Sequence, residues 1–469
     1  MALTKDNGKP KAYYLLILAI IPFILGTLGY MVAGVKRVSD ALYGAVALYG
    51  LNLTDDYSYN LWLEIARWCA PLVTAATILC IFQWIRKRIW YWWKCIAKDS
   101  VAVYCDDDTT VLFQKDVGKH AVYPQREVIP NAKSHIILLR TDEDSLRFYE
   151  QNKQKLAGKK IYIGLRELDY GLMRDKADVS FYDIDGAIAR GLWKKIALWR
   201  SAKEEDHYTI SICGTGHLGR NVLEQALLMN LYASNQKITY NFIGDNDVWK
   251  CVHQDFQMEN NDQIRFFHSD AEDICKVLKK SDYVIIAQES SIEQIQAITD
   301  ICRKCKVYYY DPLTGGISKH LAFSNLNPYG RNEDIYTDEN IRGNKLIQEA
   351  MQENYEYVKT YGNYEEGATP ESEWHKLNGF LKWSNISSSD YGHIIRCLGS
   401  SRLEKELAEL EHIRWCRFHY LNHWTYGKRN DKKRIHPCLV PFKDLDEKQQ
   451  EKDLSTVQNF MKNNSELEK

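Results

Sequence analysis

Apolar residues run unbroken at the head of the chain, alternate in short blocks through its middle and recur at three- and four-residue spacing near its end. Between Lys11 and Lys36 stand 24 residues without a charge, and between Arg67 and Arg86 another 18. Both stretches can cross a bilayer core, the second only just. Residues 1–99 are therefore predicted to hold two spans, a membrane α-helical hairpin. From Ser100 to about Lys203 the blocks SVAVYC, HIILLRTD, KKIYIGL and DVSFYDID read as strands separated by helical stretches. Alternation of this kind predicts a parallel α/β sheet. A second series, YTISIC, KITYNFIGD, IRFFHSD, DYVIIA and KVYYYD, fills 204–312 in the same way. Residues 313–384 are polar and irregular at first, then carry helical runs, and read as a connector. A compact, mainly helical unit follows over 385–469. Within it RLEKELAELEHIRWCRFHYLNHW spaces Leu403, Leu407, Leu410 and Ile413 as an amphipathic helix, with Trp415 beside the seam.

Charge gives the membrane part a direction. Lys and Arg number three before the first span, three between the spans and five from Arg86 to Lys98. By the positive-inside rule both termini face the cytoplasm. Everything after about residue 95 is then expected to be cytosolic, below a plasma (inner) membrane. The run QWIRKRIWYWWK joins basic residues to aromatics, as at a cytoplasmic membrane exit. Between the spans, Val38 to Asn60 is apolar through Leu53 and then polar. It either dips into the membrane and returns or packs as a loop on an anchor. Overall the chain is nearly neutral, 61 Lys+Arg against 62 Asp+Glu, which argues against a nucleic-acid partner. Its 12 cysteines are scattered, as reduced thiols of a cytosolic body are. Cys302 and Cys305 have no second CxxC to complete a zinc site, and His412, His419 and His423 lack further ligands, so no metal centre is expected.

Two constellations carry chemistry. In YTISICGTGHLGRNVLEQALLMN, Gly214, Gly216 and Gly219 directly follow a strand and open a helix, the context in which GxGxxG holds a dinucleotide phosphate on backbone amides. Asp245 ends the next strand, where it can accept from a ribose. The earlier sheet has Asp106, Asp107 and Asp108 after its first strand and no such turn. With HSDAEDICKVLKKSDYVIIA the second unit resembles the TrkA-N or RCK family of NAD-binding regulatory domains, and DIDGAIARGLWKKIALW resembles the end of another such domain, so that 100–203 and 204–312 form tandem Rossmann-like units. The resemblance implies NAD or an adenine nucleotide held as a ligand and not for redox, at Gly214, Gly216, His217, Leu218, Gly219, Asp245, Asp270 and Ala271. It also implies a regulator and not an enzyme; no nucleophile elbow, HExxH or Walker lysine is present.

The second constellation is NHWTYGKRNDKKRIHPCLVPFKDL, Asn422 to Leu445, where aromatics and cations share a loop broken by Gly and Pro. Flat rings with guanidinium and ammonium groups suit a planar, phosphate-bearing ligand. The order Glu411, His412, Trp415, Trp424-Thr425-Tyr426-Gly427, Asp431, Lys432-Lys433, His436-Pro437 and Phe442 resembles the RyR domain, the repeat named after ryanodine receptors. That resemblance implies recognition of a nucleotide-like ligand, with Trp415, Trp424, Tyr426, Lys432, Lys433, Arg434 and His436 as candidate contacts. Two spans followed by cytosolic nucleotide-binding units also resemble a channel with a gating ring, and bacterial effectors of nucleotide-signalling defence against phage share such layouts. By that likeness Leu48, Tyr49 and Gly50 are pore candidates. The potassium filter TVGYG is absent, so no potassium selectivity follows. A ligand-gated, channel-like membrane effector is expected, assembled as a homo-oligomer, most simply a tetramer. The alternative is a non-conducting, membrane-anchored nucleotide-binding scaffold.

Overall fold

The computed structural model describes residues 9–52, 58, 60–106, 120–167, 179–201, 207–258, 260–268, 273–312, 324–342, 345–399 and 401–462, with side chains from Ile17 onward. The chain divides into two compact units, Met1–Ile96 and Ala97–Lys469.

In the first unit helices α1 (Lys9–Val32) and α3 (Leu61–Cys95) pack together, and the short α2 (Val38–Ala47) folds back on α1. Glycines make these contacts close. A Cβ on Gly29 would lie 2.7 Å from the Leu63 backbone nitrogen, and one on Gly44 would lie 2.7 Å from the Tyr30 ring. Asn60 caps α3 by accepting from the Trp62 N–H at 2.9 Å, and it donates its amide to the Gly29 carbonyl at 3.0 Å. Among the described residues one helix, α3, is long and apolar enough to cross a membrane, and the apolar stretch described in α1 is Ile17–Val32. The sequence predicts two spans; one qualifies here by length and composition. At 35 residues α3 is about 52 Å long, well beyond a hydrocarbon core of about 30 Å. The excess carries Lys94 at 4.1 Å from the Trp90 ring and Arg88 at 5.1 Å from the Trp84 ring, cation–π pairs that suit a polar boundary.

The second unit begins with five parallel strands, β1 (Val101–Cys105), β2 (Ala121–Val122), β3 (Ser134–Leu138), β4 (Lys160–Leu165) and β5 (Val179–Asp183), in the order β2-β1-β3-β4-β5. Every residue of β1 and β3 is buried, which is why both read as continuous apolar blocks without alternation. Helix α4 (Asp142–Asn152) follows β3; Thr141 caps it by accepting from the Asp144 N–H at 3.1 Å. Its acidic first turn complements the helix dipole. Helix α5 (Ile184–Ile196) follows β5 and is capped by Asp183, which accepts from the Gly186 N–H at 2.9 Å.

Six further parallel strands form the second sheet: β6 (His207–Cys213), β7 (Lys237–Ile243), β8 (Gln263–Phe267), β9 (Tyr283–Ile286), β10 (Lys306–Tyr310) and β11 (Leu326–Tyr329), ordered β11-β10-β9-β6-β7-β8. Read from β8, this is the 3-2-1-4-5-6 order of doubly wound sheets that bind dinucleotides, whereas the first sheet has the 2-1-3-4-5 order. Strand β11 comes from the segment read as a connector; it pairs along β10 from Leu326 to Tyr329. Helix α6 (His217–Met229) opens after β6, and α7 (Ile292–Ile301) starts at a capping box of Ser291 and Gln294. The two sheets are joined where α5 packs on α6: the buried Trp193 donates its indole N–H to the Val222 carbonyl at 2.9 Å.

Among the described residues the four longest helices of the remaining chain are α8 (Lys345–Tyr361), α9 (Gly379–Leu398), α10 (Glu404–Leu421) and α11 (Glu447–Lys462). They do not form a separate core. Arg417 of α10, fully buried, donates to the Leu227 carbonyl and to Asp262, each at 2.9 Å, and to Asn260 at 2.7 Å. Tyr391 of α9 donates its hydroxyl to the Leu231 carbonyl at 2.8 Å. Leu407, Leu410 and Ile413 are buried as the spacing predicts, but Leu403 is 70% exposed at the N-cap of α10. The amphipathic reading of α10 misses its main feature: Glu411, His412, Arg414, Arg417 and His419 are buried too.

Candidate functional site

One face of α10 forms the floor of a cleft of about 620 Å³, within the range of small-molecule sites. Helices α8, α9 and α11 wall it, and the loop after α10 closes it. Turn chemistry shapes that loop. Gly427 takes φ +152, where a Cβ would meet the Ile435 side chain at 2.9 Å, and Asn430 accepts from the Lys433 N–H at 3.1 Å. These turns bring strands β12 (Thr425–Tyr426) and β13 (Ile435–His436) side by side. His436 is thereby returned to within 5.0 Å, ring to ring, of Trp415 on α10.

Aromatic rings line the cleft. Phe380 and Trp424 stack at 5.1 Å and 27°, His412 and Trp415 at 5.7 Å and 16°, and His419 lies 3.8 Å from Trp415. Trp424 is 7% exposed, yet among the described residues its indole N–H has no acceptor. A buried donor in that state costs about 1–3 kcal/mol until something accepts from it. The histidines add complementary edges. Nδ1 of His419 donates to the Trp415 carbonyl at 2.9 Å, which leaves Nε2 as an acceptor; Nδ1 of His436 accepts from the Cys438 N–H at 3.1 Å, which leaves Nε2–H as a donor. Burial keeps both rings neutral, lowering His419 to about 3 and His436 to about 4, with nearby cationic groups adding to the effect. His412 sits behind Trp415 with Nδ1 at 3.0 Å from Asp453 and Nε2 at 2.8 Å from the Val440 carbonyl. A neutral ring, having one N–H, satisfies only one of those oxygens.

Below the rings Arg414 forms a two-pronged pair with Glu411 at 2.8 and 2.7 Å, and Ser388 donates to Glu411 at 2.9 Å. Such a two-pronged pair is held by its geometry. Arg429, Arg434 and Lys452 also line the cleft. Of the residues nominated in the sequence, Trp415, Trp424, Arg434 and His436 come together there. Tyr426 is 65% exposed and does not line it, and neither do the exposed Lys432 and Lys433. Phe380, Ser384, Asn385 and Ser388 on α9, Asn378 at its N-cap, and Tyr357 on α8 were missed. A signal for four of them exists: Asn378, Ser384, Asn385 and Ser388 fall with Leu381 at three- and four-residue spacing on one face of a helix.

The glycine turn has a different character. Gly214 takes φ +107, and a Cβ on Gly219 would lie 1.8 Å from the Gly214 carbonyl oxygen, so the turn and the helix packing require those two glycines. A Cβ on Gly216 meets nothing within 4 Å among the described residues. Leu218 is buried, Asp245 is exposed at the end of β7, and His217 lies 3.2 Å from Asp185 of α5. Burial disfavours the charged His217 ring, but the Asp185 carboxylate outweighs it and holds the pKa above the ordinary value. Asp270 and Ala271 lie outside the described residues. In the first unit Leu48 is buried, the Tyr49 hydroxyl donates to the Ala19 carbonyl, and Gly50 is exposed. Cys302 and Cys305 are buried and both face the Leu278 carbonyl, at 3.8 and 3.4 Å.

Residues 399–467 match the family model described as the RyR domain. No curated protein and no solved structure matches the chain.

Proposed function

We propose that this protein is a membrane-embedded, channel-like effector whose cytosolic cleft reads a nucleotide-derived signal, in the manner of bacterial antiphage signalling effectors. The observation that carries the reading is the cleft itself. It offers flat rings for a base, the unpartnered Trp424 donor, a donor and an acceptor edge from His436 and His419, and cations at Arg429, Arg434 and Lys452. Stacking plus edge recognition plus cations is the chemistry of a phosphorylated heterocycle. In this reading the six-stranded sheet is a TrkA-N/RCK-like Rossmann unit with an adenine nucleotide or NAD at its glycine turn. The open space at Gly216, which the fold itself does not demand, supports it. Signal and response are coupled by linkage: the ligand shifts the membrane part only by its difference in affinity for two states. Residues 1–99 would sit in the inner membrane as a hairpin, both termini cytoplasmic, in a homo-oligomer such as a tetramer.

A second reading, a non-conducting membrane-anchored scaffold, is favoured by the packing of Leu48 and Tyr49 against α1, since side chains engaged in that way do not line a water path. Ion flux from liposomes holding the full-length protein separates the two. Addition of ATP, NAD or ADP-ribose derivatives is expected to change flux, and Trp424→Phe, which keeps the stack and removes the N–H, is expected to weaken the response about tenfold. No flux under any nucleotide leaves the scaffold.

A further inference from the structure

A second cavity, about 280 Å³, lies where α5, α6, α9 and α10 meet. It is separate from the cleft on the other side of α10; of the residues lining the two, Asn422 is shared. Four acids line it, Glu167, Asp183, Glu224 and Asp390, and three of them stand against a cation or a donor. Asp183 caps α5 and stands 3.9 Å from Arg190, Glu224 accepts from the Trp249 indole at 3.2 Å, and Asp390 lies 2.7 Å from Lys194. Among the described residues the Nε of Arg220 has no hydrogen-bond partner. A buried donor without an acceptor marks a place where an acceptor belongs.

Position adds to this. His217, also lining the cavity, is the first residue of α6 and is held above its ordinary pKa chiefly by Asp185, against the opposing effect of burial. It sits at the positive end of the helix dipole. Arg190 and Arg220 bring guanidinium groups from two different helices, α5 and α6. Trp383 and Phe418 supply apolar lining. Guanidinium forks match phosphate oxygens in geometry as well as charge. The volume exceeds that of a bare phosphate ion.

From these features we infer that this seam is a binding site for a small organic phosphomonoester, its phosphate on Arg220 and Arg190 and its body against Trp383 and Phe418. Because its walls come from both sheets' helices and from α9 and α10, an occupant ties the C-terminal helices to the glycine-turn helix. The inference does not depend on what fills the other cleft.

Calorimetric titration of the full-length protein in detergent with ribose 5-phosphate, inorganic phosphate and glucuronate tests it. Saturable binding of ribose 5-phosphate, weaker binding of inorganic phosphate and none of glucuronate are expected. Arg220→Gln, at a side chain with no hydrogen bond among the described residues at its Nε, should melt like wild type and bind the phosphomonoester about tenfold more weakly or worse; Arg220→Lys should fall between. Equal affinity in Arg220→Gln and wild type, or no saturable binding of either phosphate compound to wild type, would overturn the assignment.

Discussion

The glycine turn and the C-terminal cleft present opposite relations between motif and geometry. At the turn the motif is plain and the side chains contribute little: two glycines serve the fold, and Gly216 alone faces open space. At the cleft the chemistry is carried by side chains drawn from four helices, and the motif covers part of it. What separates them is the source of the binding groups. A phosphate turn uses backbone N–H groups of consecutive residues, so its signature is local. A cleft between helices uses side chains far apart in sequence, so its signature is distributed. The lesson extends to Arg417, whose buried pair with Asp262 fastens the two regions together and whose role no local pattern announces.

The strongest way to break the comparison is to cut that link. Arg417→Met leaves Asp262 buried with only neutral donors, Gln236, Asn260 and the Ile238 N–H, and removal of one partner from a buried pair costs about 3–5 kcal/mol. The variant is expected to melt well below wild type in detergent, with the cleft and the second sheet lost together. Retention of full stability would mean that the helices stand on their own core. Next comes a contrast within the turn. Gly219→Ala forces a Cβ against the Gly214 carbonyl and should destabilise by about 1–3 kcal/mol or more, whereas Gly216→Ala should leave melting unchanged and weaken adenine-nucleotide binding. Equal stability losses at both positions would place Gly216 among the structural glycines.

The distinction also explains how much could be read from the chain. Parallel sheets were legible because fully buried strands such as Val101–Cys105 and Ser134–Leu138 write continuous apolar blocks. Strand β11 was not, since LNPY is short, half-buried and contains Pro328 at a sheet edge. On α10, Leu407 and Leu410 announced a seam, but the burial of Glu411, Arg414 and Arg417 is invisible until partners from Ser387, Ser388 and Asp262 arrive. In the loop, Trp424 and His436 could be named as ring-bearing contacts, while Phe380, which stacks on Trp424, lies over 40 positions upstream. The long apolar helix α3 was legible from its uncharged run; the fold-back of α2 onto α1 depends on Gly44 meeting Tyr30, a contact that no periodicity encodes.

The neutral histidines sharpen the contrast by a smaller amount. His436 has its folded pKa near 4 because burial and nearby cations disfavour the charged ring, below the ordinary value of about 6.5. The unfolded chain therefore binds a proton that the folded cleft refuses, and stability is lost as pH falls from about 6.5 toward 4. Glu353, pushed up to about 8 by burial, and His217 work in the opposite direction, so the effect is read as the difference between wild type and His436→Gln. That difference should move against wild type by at most about 1.4 kcal/mol per pH unit, less where solvent reaches the half-buried ring. A pH-independent difference would show that His436 titrates normally and that the cleft is wet.

The smallest expected effect falls on the residues the sequence made most conspicuous. Lys432 and Lys433 stand in a short turn capped by Asn430, both exposed and outside the cleft lining. Solvated ammonium groups with no partner contribute within about 0.5 kcal/mol, and across water their pull on a ligand phosphate is screened over roughly 8–10 Å. The double change Lys432→Ala with Lys433→Ala is thus expected to leave both melting and nucleotide affinity nearly unchanged at physiological salt. Lys452→Ala removes a cation that does line the cleft, and it should weaken a phosphate-bearing ligand while sparing its unphosphorylated nucleoside. Titrating the two variants side by side with one nucleotide and its nucleoside decides the matter. If the lysine pair mattered more than Lys452, the phosphate would lie along the outer loop, and the aromatic cleft would hold only the base.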